Sequence, residues 1–148
     1  MTPNADEQLD FDFMEIIDTG PLSTYEMVRE FHTAMGQLMD TSIDVSLDAN
    51  RTLGQNSIYN LRIDLIREEY YEFLDADTPE NMLKELMDLK YVIDGFCATF
   101  GWDADIALRR VHESNMSKLG DDGKPVYRED GKVMKGPNYK PCDLGDLV

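Results

Sequence analysis

The spacing of apolar residues predicts that the chain is built from four α-helices. The clearest helix is predicted to begin at Pro79, after Thr78 as its cap, and to end at Gly101. A Thr cap, a Pro in the first helical position and a Gly after the last turn are typical of helix ends. Its apolar residues recur at alternating steps of three and four, which places them on one stripe of the helix. They are Met82, Leu86, Leu89, Ile93, Phe96 or Cys97, and Phe100.

Weaker patterns predict the other three helices. Ser23-Thr24-Tyr25-Glu26 has the form of a capping box, and the helix that it starts is predicted to run to about residue 38, with Val28, Phe31 and Met35 at helical spacing. A second helix is predicted from about residue 57 to the turn-like sequence at 75–77. Asp103 is predicted to cap a fourth helix that ends near residue 118. Four helices joined by short links are typical of an all-α domain of the four-helix-bundle type.

The remaining residues divide into an N-terminal arm, a loop and a C-terminal tail. Residues 1–22 lack sustained periodicity and are predicted to form an arm, and residues 39–55 are predicted to form a loop before the second helix. The helical domain then covers residues 23–120. In the tail, residues 121–148, Asp130-Gly131 separates two short runs at 126–128 and 132–134, which predicts a small β-hairpin. We expect this tail to pack on the helical domain or on a partner subunit.

The composition narrows the classes of ligand. The chain has 148 residues and a formal net charge of −16, from 30 acidic and 14 basic residues, which argues against nucleic acid and against an anionic membrane surface. A polyanionic ligand would need a cation between itself and the protein, and divalent cations prefer carboxylate oxygens. Cys97 and Cys142 alone suggest neither a disulfide framework nor a zinc site. With no apolar run long enough to span a bilayer, a cytoplasmic protein is expected.

Acidic residues on the second and third predicted helices are the strongest candidates for chemistry. At about 100° per residue, Glu68, Glu69 and Glu72 fall at about 0°, 100° and 40° around their helix, so they share one face. Glu85 and Asp88 share a face of the next helix in the same way. If these helices pack antiparallel, the carboxylates converge and repel one another unless divalent cations lie among them. The alternative is a solvated acidic face, which is common in so acidic a chain.

A longer pattern around these acids resembles a known family. The run Leu65-Ile66-Arg67-Glu68-Glu69-Tyr70-Tyr71-Glu72 is followed after twelve residues by Glu85-Leu86-Met87-Asp88, and a further run, Val111-His112-Glu113-Ser114-Asn115-Met116-Ser117-Lys118, ends the fourth helix. Together these runs are similar to those of the MazG-like all-α nucleoside triphosphate pyrophosphohydrolases. The resemblance covers residues 25–142, and the short tail is similar to that of the phage and small bacterial members.

The resemblance implies a set of functional residues. It implies magnesium, replaceable by manganese, at Glu69, Glu72, Glu85 and Asp88, with Glu68 as the general base that orients a water molecule. It also implies that Asn115 and Lys118 reach the triphosphate. Secondary candidates are tail cations that could close over the phosphates, with a solvated hairpin as the alternative, and an aromatic side chain that could stack on a base, with core packing as the alternative. The tail cations are Arg128, Lys132 and Lys135. The aromatic side chain is Phe31, and Met35 is a candidate for the same contact with a base.

The expected reaction is hydrolysis of a (d)NTP to a (d)NMP and pyrophosphate. The phage-like tail favours a deoxynucleotide, with dGTP as a candidate, and dUTP or phosphoribosyl-ATP as alternatives within the same fold.

A homodimer or homotetramer is expected because so few short helices leave apolar faces uncovered. Two departures from the family, Lys90 and Asp94, leave the subfamily open. A non-catalytic acidic interaction protein is the alternative from another class, whereas a di-iron bundle is disfavoured because no E-x-x-H spacing is present.

Overall fold

A computed structural model of the chain describes residues 20–43 and 58–148 and confirms the predicted all-α class. Its helices are α1 (Thr24–Ala34), α2 (Ile58–Asp75), α3 (Pro79–Thr99) and α4 (Ala104–Met116), followed by a 3-10 turn at Gly145–Leu147. Most of the predicted arm and of the predicted loop lies outside the described residues. Within the described ranges, no helix is long and apolar enough to cross a membrane.

The helix ends follow the local sequence signals. At α1, the Glu26 amide donates to Ser23 Oγ over 3.1 Å and the Ser23 amide donates to Glu26 Oε2 over 2.7 Å, which is a complete capping box. Thr78 and Asp103 each accept a hydrogen bond from the backbone amide three residues on, and these caps start α3 and α4. Gly101, with φ of 70°, reverses the chain after α3 in a conformation that other residues rarely adopt.

The central helix of the structure is α3. It packs along its length against α2 and also against α1, whereas its contact with α4 is small. Because α2 and α3 are joined by three residues, they run antiparallel. Residues of α2 therefore face residues of α3 in a constant register, so that Arg62 lies against Gly95 and Glu72 lies near Glu85. This register determines which side chains line the space between the two helices.

The buried core is small and corrects one prediction for α1. Tyr25 and Val28 of α1 pack against Ala98 of α3, and His32 continues this buried line. Phe31 and Met35 were expected in the core but are 37% and 61% exposed. Phe31 lies about a quarter turn away from the buried line, and Met35 is the C-cap, because α1 ends at Ala34 rather than near residue 38.

Part of the apolar stripe predicted for α3 stays uncovered in the single chain, whereas Phe100 at its end is buried. Met82, Leu86 and Ile93 are 42%, 40% and 45% exposed. The side of α3 that faces α2 instead carries Glu85, Asp88, Val92 and Gly95, about a quarter turn or more from the stripe. The single chain therefore leaves the most regular apolar surface of α3 in contact with solvent.

The C-terminal tail contains the predicted hairpin only in minimal form. Tyr127 and Val133 form a single antiparallel bridge, and the Arg128 amide donates to the Lys132 carbonyl over 2.8 Å. No strand forms within the described tail. The tail packs against the end of α4, where the Lys140 amide donates to Ser117 Oγ over 2.9 Å.

Candidate metal centre and adjoining cavity

Three of the four predicted metal ligands lie together between α2 and α3. Glu69 and Glu72 are one turn apart on α2, and Glu85 faces them from α3. Each offers an oxygen, and these three oxygens lie within 4.8 Å of one another. The antiparallel packing that brings these acids together is the arrangement that the helical spacing predicted.

The fourth predicted ligand, Asp88, lies one turn along α3 and faces Glu69. Its carboxylate raises the pKa of Glu69, but one of its oxygens is 2.9 Å from Lys84 Nζ. The same ammonium is 3.0 Å from Glu85 Oε1. Lys84 therefore compensates part of the negative charge, and its pKa is raised well above the usual lysine value. Lys84 was not among the predicted site residues, although its place four residues before Asp88 is a helical ion-pair signal.

Glu69 is the least satisfied of these carboxylates. Its Oε2 atom is buried and has no hydrogen-bond partner among the described residues. Burial raises the pKa of Glu69, and the neighbouring carboxylates of Asp88, Glu72 and Glu85 raise it further. A buried carboxylate oxygen that faces other carboxylates is unfavourable unless a cation compensates it. The donor set consists of carboxylate oxygens, which fit a hard divalent cation such as magnesium.

The predicted general base lies beside this group. Glu68 is exposed and precedes Glu72 by one helical turn, but it is not among the three carboxylates that converge. Glu68 is thus separate from the three candidate ligands, as a base that keeps its oxygens free would require. Its role stays a prediction.

A cavity of about 250 Å³ extends from the carboxylates between α1, α2 and α3. Glu69 and Asp88 form one end. Apolar and aromatic side chains line its middle, among them Leu65, Val92 and an edge-to-face pair of Phe31 and Tyr91 with ring centroids 5.7 Å apart. Phe31, predicted as a candidate for base stacking, therefore does line a cavity beside the carboxylates.

The other end of the cavity is polar and buried. His32 and Arg62 are 2% and 4% exposed, and an Arg62 guanidinium nitrogen donates to Gln37 Oε1 over 3.0 Å. A Cβ atom on Gly95 would lie 3.3 Å from His32 Nε2, which is a tight contact, and 3.5 Å from an Arg62 guanidinium nitrogen, which is an ordinary one. The sequence analysis missed Arg62 and Gly95. An arginine within the apolar run of α2 was the available signal.

The remaining predicted substrate ligands lie elsewhere in the single chain. Lys118 Nζ donates to Asn115 Oδ1 over 2.8 Å at the end of α4. In the tail, Arg128 pairs with Asp130, Lys135 Nζ lies 4.6 Å from the centre of the Tyr139 ring, and Lys132 is exposed. None of the five lines the cavity or joins the three carboxylates in the described part of the chain. Their proposed contact with the triphosphate stays a prediction.

Comparison with known proteins places this site within a family match. A family model described as phosphoribosyl-ATP pyrophosphohydrolase matches residues 28–115. This match covers more than half of the chain and includes all four predicted metal ligands. An uncharacterized protein of Acanthamoeba polyphaga mimivirus is 29% identical over 118 residues, which cover 76% of this chain and 42% of that protein. The chain thus spans about two fifths of the length of this relative. A crystal structure from Exiguobacterium sp. 255-15, described as a proposed NTP pyrophosphohydrolase, matches with a TM-score of 0.41 and 23% identity over 82% of this chain and 90% of that chain.

Proposed function

Because the chain belongs to the phosphoribosyl-ATP pyrophosphohydrolase family, as the MazG-like resemblance predicted, we propose that it is a metal-dependent nucleoside triphosphate pyrophosphohydrolase. The observation that carries this proposal is the group of Glu69, Glu72 and Glu85, in which one buried oxygen of Glu69 has no hydrogen-bond partner in the described part of the chain. Such a group supports hydrolysis of a phosphoanhydride more directly than it supports an acidic binding surface, because a binding surface has no need of a buried carboxylate oxygen without a donor.

The proposed division of labour follows the geometry. Glu69, Glu72, Glu85 and Asp88 would hold magnesium or manganese, which when bound neutralises phosphate charge and makes water more acidic. Glu68, beside them and exposed, would take a proton from the attacking water. The water oxygen then forms a bond to the α-phosphorus, the bridging bond between the α- and β-phosphates breaks, and pyrophosphate leaves with the bridging oxygen.

The cavity next to Glu69 and Asp88 is the proposed place for the nucleoside. It is about 250 Å³ in volume, apolar in the middle and closed by His32 and Arg62. A closed end favours an unsubstituted base over that of phosphoribosyl-ATP, which carries a second ribose phosphate. The short phage-like tail favours a deoxynucleotide, with dGTP as a candidate and dUTP as an alternative.

The uncovered stripe of α3 supports a homodimer or homotetramer. Met82, Leu86 and Ile93 are each at least 40% exposed along one face, and a second copy of the chain is the simplest cover for a regular helical face. In such an assembly, Asn115 and Lys118 of one copy would be free to approach the carboxylates of another.

The test is to measure product release from the eight common nucleoside triphosphates with magnesium. The expected products are the monophosphate and pyrophosphate. With water labelled by ¹⁸O, the label should appear in the monophosphate, because attack is at the α-phosphorus. Activity should disappear with EDTA, return with excess magnesium, and fall at least about a hundredfold in Glu72→Gln.

A matched control separates this function from its alternative. Glu113→Gln changes an exposed glutamate on α4 and should leave the rate unchanged. Release of a diphosphate and inorganic phosphate would contradict the proposed reaction. Activity that persists equally in EDTA and in Glu72→Gln would contradict the metal site and favour a different function for the acidic surface.

A further inference from the structure

The register of α2 and α3 places a buried arginine at a defined distance from the carboxylates. Arg62 precedes Glu69 by seven residues on α2, and Gly95 follows Asp88 by seven residues on α3, so both intervals span two helical turns, or about 10 Å. A nucleotide with its α-phosphate at the carboxylates and its sugar and base along the cavity would extend toward Arg62. The far edge of its base would then meet the closed end.

Arg62 is buried, and no carboxylate among the described residues pairs with it. It is 4% exposed, and its hydrogen-bond partner among the described residues is the neutral amide oxygen of Gln37. Its Nε atom is buried with no partner there. An arginine side chain stays charged in proteins and has donors only, and a buried charge without a partner is costly. The arrangement is explained if a ligand supplies the missing acceptors.

Two other unpaired atoms share this cavity. His32 Nδ1 and Glu69 Oε2 are likewise buried without a hydrogen-bond partner among the described residues, and both side chains line the same space as Arg62. The fully buried polar groups of a folded protein are nearly always paired. Three unpaired atoms around one cavity therefore indicate that a polar ligand completes it, touching both of its ends.

The chemistry of the cavity limits what that ligand presents at Arg62. Between the two ends lie Leu65, Val92 and the pair of Phe31 and Tyr91, which suit a flat ring and oppose a second phosphate group. A guanidinium fits two adjacent acceptors, and the O6 and N7 atoms of guanine are such a pair. Adenine places an amino group, a donor, where guanine has O6, so it would leave donors facing each other.

We propose that Arg62 is the residue that selects the base, by donating hydrogen bonds to O6 and N7 of a 6-oxopurine nucleotide whose α-phosphate lies at the carboxylates. This inference rests on the proposed function, since it assumes that a nucleotide occupies the cavity. Gln37 orients the guanidinium through its amide oxygen, and the guanidinium lies against Gly95.

The test compares kcat/KM for dGTP, 7-deaza-dGTP, dATP, dCTP and phosphoribosyl-ATP. The wild-type protein should prefer dGTP to dATP by at least about tenfold, and 7-deaza-dGTP, which lacks N7 but keeps its shape, should lose a large part of this preference. This comparison needs no substitution, so it stands even if a variant at the buried position fails to fold. Equal rates with dGTP and dATP, or faster hydrolysis of phosphoribosyl-ATP than of dGTP, would overturn the proposal.

A variant then tests the residue itself. Arg62→Met should bring dGTP down to the level of dATP, mainly through KM, while dATP changes little, and Arg62→Lys should restore part of the difference. Arg109→Met, at an exposed arginine on α4, is the control and should keep the preference. An equal fall for every nucleotide in a folded Arg62→Met protein would show a structural role and refute the assignment.

A binding measurement separates this inference from the proposed function. Binding of deoxyguanosine and deoxyadenosine in EDTA, followed by ligand-observed NMR, reports on the closed end without catalysis. Preferential binding of deoxyguanosine that disappears in Arg62→Met supports the inference even if no triphosphate is hydrolysed. Hydrolysis without any preference for dGTP, and without preferential binding of deoxyguanosine, leaves the proposed function standing and the role of Arg62 refuted.

Discussion

Replacing one carboxylate of the candidate metal centre should raise stability without magnesium and lower it with magnesium. The oxygens of Glu69, Glu72 and Glu85 lie within 4.8 Å of one another. At that separation, two unit charges repel by about 1 kcal/mol in water and about 3.5 kcal/mol at an effective dielectric constant of 20. Because Glu72 is exposed and salt screens the pair, the lower figure applies. Glu72→Gln removes two such pairs, so the free energy of unfolding in EDTA should rise by about 1–2 kcal/mol.

Magnesium should reverse this order. A ligand present at a hundred times its Kd stabilises the folded state by about 2.7 kcal/mol, and the wild-type protein should gain this amount. Glu72→Gln lacks one ligand and should gain much less. The wild-type protein then becomes the more stable of the two once magnesium is in excess.

Urea denaturation followed by circular dichroism, in EDTA and in magnesium, measures both effects on one sample. Glu113→Gln, the exposed control on α4, keeps all the carboxylates of the group, so its unfolding curves should match the wild-type curves both in EDTA and in magnesium. If Glu72→Gln is no more stable than the wild type in EDTA, the carboxylates do not repel as their spacing requires. If magnesium stabilises both proteins equally, the group is not the binding site.

Three further predictions concern other parts of the chain. Burial and the Asp105 carboxylate raise the pKa of Asp94, so its contribution to stability is present below its unfolded pKa of about 3.9 and is lost as pH rises through the folded pKa. Asp94→Asn should therefore increase the free energy of unfolding, measured by urea denaturation, at pH 7 but not at pH 3. An equal change at both pH values would contradict this. Leu86→Glu should lower the mass seen by light scattering while helix content stays, whereas an unchanged mass would refute self-association through α3. Lys118→Met should raise KM at least about tenfold with an unchanged Tm, and an unchanged KM would remove Lys118 from the triphosphate site.

Local signals explain which parts of the fold were predictable. Ser23, Thr78 and Asp103 cap their helices through hydrogen bonds that span three residues, so neighbouring sequence is sufficient to predict them. The convergence of the acids was also predictable, because helical spacing fixes a shared face and a short link makes neighbouring helices antiparallel. The start of α2 at Ile58 and the end of α1 at Ala34 were predicted to within a few residues.

Packing between helices explains what could not be predicted. Periodicity favoured Phe31 and Met35 as core residues, but it does not determine which line of α1 turns toward α3. The structure uses Tyr25, Val28 and His32. His32 in that line and Arg62 opposite Gly95 are buried polar residues. Their positions follow from the contact between helices, which the sequence pattern does not give.

The same register nevertheless links the two ends of the cavity, and this connects the candidate metal centre to the proposed base-selecting residue. On α2 and α3 alike, seven residues separate the carboxylate end from the closed end, and residues seven apart return to nearly the same face of a helix, with a drift of about 20°. Any packing that brings Glu69 opposite Asp88 must therefore also bring Arg62 opposite Gly95. A substitution that moved one end along the helices would move the other with it, so the distance from the carboxylates to Arg62, which the proposed nucleotide would span, is set by helix geometry and not by loops. For this reason, changes of base preference within this scaffold should arise at the positions of Arg62 and Gly95 while the spacing of the carboxylates stays fixed.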